Sequence, residues 1–134
     1  MNYLLDTDIC IYILNERPVN VSEKFRTIKA ENITLSSLTI AELYYGAEKS
    51  RLGERNRRAL TQFIATLNRA DFTAETAQVY AALRASLEHS GTPIGPLDTL
   101  IAAHALSLEA TLVTNNIREF SRVPDLEIEN WLNE

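Results

Sequence analysis

Three short apolar runs, "YLL" at Tyr3–Leu5, "ITL" at 33–35 and "LV" at 112–113, are each too brief to form a helix, and the stretches between them carry helical periodicity. Leu60, Phe63, Ile64 and Leu67 recur at i, i+3, i+4 and i+7. Val79, Tyr80, Leu83 and Leu87 repeat that pattern in a segment that Thr73 can cap. Pro18 stands where a first helical turn can begin, with Val21, Phe25 and Ile28 on one face. A weaker strand candidate lies at 70–72. Strands that are apolar on both sides, separated by helices of this length, imply an α/β fold. Its mainly parallel sheet of four to five strands is covered by helices on both faces. The segment "SGTPIGP" at 90–96 breaks the chain before "TLIAAHALSL" at 99–108, which is apolar on nearly all sides and is expected to be the most buried helix.

No repeat, low-complexity tract or linker interrupts the pattern, so residues 1–134 are read as one domain. The longest uncharged run is ten residues, well short of the ~20 needed to cross a bilayer. Asp6 cuts off the apolar N-terminus before a signal peptide could form. The chain is therefore expected to be soluble and cytoplasmic. Its single cysteine, Cys10, excludes an internal disulfide and a cysteine metal site, and reads as a small buried side chain. The net charge of −5 argues against a nucleic-acid partner, but its distribution does not: five of the thirteen basic residues, Lys49, Arg51, Arg55, Arg57 and Arg58, fall within ten positions. Such a cluster is either a solvated helix face or a surface that tracks phosphates.

The acids follow the strands. Asp6 comes directly after Leu5, Glu42 seven residues after Leu35, and Glu119 six residues after Val113, while Asp98 opens the apolar helix. In an open parallel sheet, ligands bind beyond the carboxyl ends of the strands, where these side chains can converge. Each also fits a helix cap. Asp6 or Thr7 can cap the first helix, Thr39 with Glu42 and Asn116 with Glu119 have capping-box spacing, and Asp98 is a natural N-cap. If three carboxylates met at about 5 Å, each pair would repel by ~3 kcal/mol at an effective dielectric of ~20. Together the pairs would rival the ~5–15 kcal/mol stability of a domain. Convergence therefore requires protonation or a cation, and an all-oxygen donor set suits Mg²⁺ or Mn²⁺.

Among the remaining polar groups, His104 sits amid alanines and reads as a hydrogen-bonded core residue, and His89 as the solvated end of a helix. One of Tyr44 and Tyr45 is expected in the core, the other free to stack on a base or fill an interface. Ser37, Thr7 and Thr114 can serve either a site or a strand-end turn. Trp131 is expected to pin the C-terminal segment.

The stretch "LLDTD" resembles the D-x-D strand end of haloacid-dehalogenase-type phosphatases, yet that class and the receiver domains need a lysine late in the chain, and the last one here is Lys49. A fuller resemblance runs along nearly the whole sequence. "LLDTDICIYIL", "SSLTIAELYYGAEKS", "PIGPLDTLIAAHALSLEATLVTNNIREFSRV" and the closing "ENWL" are similar to PIN domains, and specifically to the VapC toxins of toxin–antitoxin pairs. That resemblance implies a small α/β/α sandwich and a metal-dependent endoribonuclease that leaves a 5′-phosphate and a 3′-hydroxyl. It carries the family's acids onto Asp6, Glu42 and Asp98, with Asp6 and Asp98 binding Mg²⁺ or Mn²⁺. Where relatives commonly carry Asn, this chain has Asp8, and where many carry a fourth acid it has Asn116, so Glu119 is the candidate substitute. Thr7, Asp8, Thr114 and Asn116 are read as residues supporting the ligands, and the 49–58 cluster as an RNA contact. The resemblance further implies a VapB-like antitoxin, homodimerisation and hetero-oligomeric assembly, and a substrate such as initiator tRNA cut in the anticodon loop. A PIN ribonuclease of ribosomal- or messenger-RNA processing, and a catalytically silent binding module, are the competing readings.

Overall fold

In the computed structural model, which describes residues 2–133, the chain opens with strand β1 (Tyr3–Leu5) and helices α1 (Thr7–Asn15) and α2 (Val19–Arg26). There follow β2 (Ile33–Ser36), α3 (Ser37–Lys49), α4 (Gly53–Ala65), β3 (Asn68–Ala70) and α5 (Ala74–His89). The last part comprises α6 (Pro96–Ser107), β4 (Thr111–Val113), α7 (Ile117–Phe120) and β5 (Ile128–Glu129). The five strands form one sheet in the order β3-β2-β1-β4-β5, every pairing parallel. Central β1 is in register with both neighbours, Leu4 opposite Thr34 on β2 and Leu112 on β4.

Successive strand residues point to opposite faces, and both faces are buried. Leu5, Leu35 and Val113 join Ile9, Leu43, Leu60 and Ile64 beneath α1 to α4, whereas Leu4 and Leu112 join Leu83, Ile101, Ala102 and Phe120 beneath α5 to α7. This three-layer arrangement explains why the strands lack polar alternation. Leu4 and Leu5 are completely buried, and burial of each contributes ~1.5–3 kcal/mol, which anchors the chain immediately ahead of Asp6. The expected buried helix is α6, with Ile101, Ala102, Ala103, His104 and Ala105 all buried.

Local differences from expectation have physical causes. β3 lies at Asn68–Ala70 rather than at 70–72, in register with Thr34 to Ser36, since Ser37 Oγ accepts the Phe72 N–H (3.0 Å) and turns the chain away. Pro18 occupies the N-cap and the helix starts at Val19. β5 is only two residues long and half-buried, which gave no apolar run to read. Trp131 pins the C-terminal segment as expected: it is fully buried, lies edge-on to Tyr3 at 5.7 Å and donates from Nε1 to Glu129. Cys10 is buried, and burial pushes its thiol pKa up. No described helix is long and apolar enough to cross a membrane.

Candidate active site

With β1 at the centre, β2 and β3 extend to one side and β4 and β5 to the other. The topological switch therefore lies between β1 and β4, and Asp6 and Thr114 follow those two strands. The Asp6 N–H continues the ladder to Val113 O (2.9 Å), and its extended backbone makes it the N-cap of α1. Its carboxylate accepts the Thr7 N–H at Oδ1 (2.9 Å) and the Thr114 hydroxyl at Oδ2 (2.8 Å). Asp6 is thus a cap whose second oxygen is tied to the end of β4. Burial raises its pKa; the Thr114 and Thr7 bonds oppose this, and the charges of Asp8 and Glu42 add to it. Asp8 itself is exposed in the first turn of α1.

Glu42 reaches the same place from α3. Ser36 caps that helix, accepting the Leu38 N–H at 3.0 Å, so the Thr39 capping box is not formed and the Thr39 hydroxyl is buried without a partner among the described residues. Released from capping, Glu42 Oε1 accepts the Thr7 hydroxyl at 2.7 Å. Asp98 is likewise not an N-cap. Gly95 holds that position, and Pro96, which lacks an N–H and has φ suited to a first turn, starts α6 ahead of Asp98. Asp98 therefore projects from the third helical position, where partial burial pushes its pKa up to about 7, with Glu119, Asp6 and Glu42 each adding to the rise.

Glu119 completes the group. Its Oε1 accepts the Gly95 N–H (2.8 Å) and its Oε2 the Asn116 side-chain amide (2.7 Å), and the Gly95 bond is the main reason its pKa lies below the usual range. Asn116 stands at the N-cap of α7 but makes no side-chain cap; its own N–H donates to Thr114 Oγ1 at 3.0 Å. The structure therefore places Asp98 under the charges of Asp6, Glu42 and Glu119, and Asp6 under that of Glu42, with Thr7, Thr114 and Asn116 hydrogen-bonded among these acids. Sequence reasoning missed Gly95, because a backbone N–H leaves no signal in the residue type.

The donor chemistry fits a hard divalent cation. The charges acting most strongly on Asp6 and Asp98 are other carboxylates. Among the described residues no group of three or more His, Cys, Asp or Glu side chains is arranged to hold a metal ion, so an ion here would draw at most two such ligands and complete its shell with water and substrate oxygens.

Several other features stand apart from the acids. His104 Nδ1 is 2.8 Å from Ser36 Oγ beneath the edge of Phe72, and burial lowers its pKa, so it is a neutral core residue as expected. Tyr44 packs on the core and Tyr45 is 65% exposed. Lys49, Arg51, Arg55 and Arg58 lie exposed around the α3–α4 corner, while Arg57 pairs with Glu48 and Glu54. A groove of about 350 Å³ between α1, α3 and α4 is lined by Ile11, Leu14, Leu43, Ala47 and Leu60, with Glu42 also on its wall.

Residues 3–126 match the PIN domain family. The sequence is 45% identical over 132 residues to Ribonuclease VapC2 of Rickettsia felis, covering 98% of each chain. It is 40% identical over 131 residues to the tRNA(fMet)-specific endonuclease VapC of Salmonella typhimurium, again covering 98% of each. The fold superimposes on the crystal structure of VapBC2 from Rickettsia felis bound to a DNA fragment from their promoter, with a TM-score of 0.90 at 44% identity, covering 98% of this chain and 99% of that one.

Proposed function

The chain belongs to the PIN domain family, in its VapC branch, and from that premise we propose that it is a divalent-metal-dependent endoribonuclease, the toxin of a toxin–antitoxin pair. The single observation that carries this reading is the gathering of Asp6, Glu42 and Asp98 beyond the carboxyl end of β1, with carboxylate charges left to repel one another. Asp6 and Asp98 would hold Mg²⁺ or Mn²⁺. When bound, the ion would lower the pKa of a water and offset charge developing on the phosphate. Thr114 and the Thr7 N–H fix both oxygens of Asp6 from the protein side. The Thr7 hydroxyl holds one oxygen of Glu42, leaving the other to orient the attacking water and accept its proton. Cleavage leaves a 5′-phosphate and a 3′-hydroxyl.

Initiator tRNA is the proposed substrate, on the likeness to the tRNA(fMet)-specific relative. The partner is a VapB-like antitoxin, by likeness to the VapBC2 complex. The apolar groove that includes Glu42 suits an amphipathic antitoxin segment that would cover the site. A homodimer within that assembly belongs to the same reading. The test is incubation of purified, antitoxin-free protein with a bacterial tRNA pool in Mg²⁺, Mn²⁺ or EDTA. Discrete products in metal and none in EDTA are expected; intact RNA in both metals, with folded protein, would overturn the reading.

RNA approaches along α3. Glu42, Tyr45 and Lys49 share one face at i, i+3 and i+7, spanning about 10 Å from the acid to the lysine. Lys49 Nζ lies 5.0 Å from the Tyr45 ring centroid, a pairing that offers a base a stacking surface and a phosphate a cation. Arg51, Arg55 and Arg58 extend this positive surface, while Arg57 is partly neutralised by Glu48 and Glu54. Replacing Lys49, Arg51, Arg55 and Arg58 by Gln should raise KM for tRNA and flatten its salt dependence by about 0.7 in log–log slope per lost phosphate contact. An unchanged KM and slope would remove this surface from the RNA path.

A further inference from the structure

Both oxygens of Glu119 already have protein donors, and those donors come from two different loops. Gly95, at the head of α6, supplies one N–H, and Asn116, in the turn after β4, supplies the other. The turn is itself tied to Asp6: Asn116 N–H donates to Thr114 Oγ1, which donates to Asp6 Oδ2. On the far side, the Gly95 carbonyl accepts both the N–H (2.9 Å) and the hydroxyl (2.8 Å) of Thr99, locking the first turn of α6 that carries Asp98. A continuous hydrogen-bonded path thus runs from Asp6 through Thr114, Asn116, Glu119 and Gly95 to that turn. Arg122, just beyond α7, fastens the same loop by donating to the Pro93 carbonyl at 2.9 Å.

We propose that Glu119 is a positioning residue: with Asn116 it clasps the head of α6 to the end of β4 and so sets Asp98 relative to Asp6. A side-chain hydrogen bond also joins it to Asp98 itself. The Asn at position 116 is then a working part, since its amide supplies the donor that a carboxylate there could not. This inference rests on the nuclease reading for its consequence, but the clasp itself can be tested without RNA or metal.

Glu119→Gln separates clasp from charge. The introduced side chain can keep its carbonyl on the Gly95 N–H, and a flip of the Asn116 amide presents Oδ1 to the new NH₂ group. Glu119→Ala can keep neither bond. In metal-free protein, hydrogen exchange at the Gly95 amide should speed at least about tenfold in Glu119→Ala and stay near wild type in Glu119→Gln. With Mg²⁺ and tRNA, Glu119→Ala should lose about 10–100-fold in cleavage, the usual cost of removing a group that orients a ligand, and Glu119→Gln less than about threefold. Glu119→Gln that cleaves as poorly as Glu119→Ala while Gly95 stays protected would overturn the proposal, because the charge itself would then be required. Wild-type protection of Gly95 in Glu119→Ala would overturn it too. Failure of the wild-type chain to cleave any RNA would sink the nuclease reading, and the exchange comparison would still decide the clasp.

Discussion

Asp98→Asn should lower metal-dependent cleavage by at least about 10²–10³-fold, the scale on which removal of one charge-stabilising group acts, and it should make the metal-free protein more stable at neutral pH. The first effect follows if Asp98 is a ligand. The second follows from its surroundings. Its pKa is raised to about 7 by burial and by Glu119, Asp6 and Glu42, so the folded state binds that proton more tightly than the unfolded chain does. Stability contributed by the proton is full below the ordinary carboxyl range and is lost as pH rises towards 7. The depressed pKa of Glu119 acts in the opposite sense, but only below its ordinary value of 4.5. Between about pH 5 and pH 7.5 the thermal midpoint of metal-free wild type should therefore fall, and that of Asp98→Asn should stay flatter. Mg²⁺ at about pH 7.5 should restore the wild type and leave Asp98→Asn nearly unmoved, since ligand binding to the native state alone raises stability. Thermal melts at the two pH values, with and without Mg²⁺, check all three. A variant that binds Mg²⁺ and cleaves normally would remove Asp98 from the metal site.

Asp6→Asn should silence cleavage to the same extent while leaving the fold nearly as stable, and Asp6→Ala should do both kinds of damage. Asn is as good an N-cap as Asp, so the bond to the Thr7 N–H survives in the first variant, and its Nδ2 group can donate to Thr114 Oγ1 in place of the oxygen that accepted from it. Alanine removes that cap, at a cost of about 0.5–2 kcal/mol. It also leaves the buried Thr114 hydroxyl without its acceptor, a further cost of about 1–3 kcal/mol. Chemical denaturation of the two variants beside a cleavage assay separates the roles. Equal stability of Asn and Ala would mean that Asp6 does not hold the end of β4, and full activity of Asp6→Asn would mean that its charge is not used.

The two bonds of Asp6 show why capping and a site role could not be told apart in the sequence. A carboxylate that follows a strand and precedes a helix is suited to both, and here one oxygen caps α1 while the other is tied to Thr114 at the end of β4. Thr39 and Glu42 had equally good capping-box spacing, yet Ser36 takes the cap because β2 runs on to it and the helix begins at Ser37. Asp98 was displaced from its cap in the same way by Pro96. In each case the choice depended on where the preceding segment ended, which a run of residue types locates only to within a few positions.

The sequence by itself determined the layered α/β architecture, since apolar runs without polar alternation can be buried only between two helical layers, and the chain's helical periods supply those layers. It also determined that acids would stand at strand ends, because their order along the chain follows the strand–helix alternation. The tertiary structure alone decided the sheet order, the two-residue β5, and the release of Glu42 to Thr7 and of Glu119 to Gly95 and Asn116. The contacts that decide them include pairs far apart in the chain, Thr7 with Glu42 at 35 residues and Gly95 with Glu119 at 24. Hydrogen bonds of that kind are set by distance and direction in the folded chain, and a backbone donor such as the Gly95 N–H is chemically the same at every residue except proline.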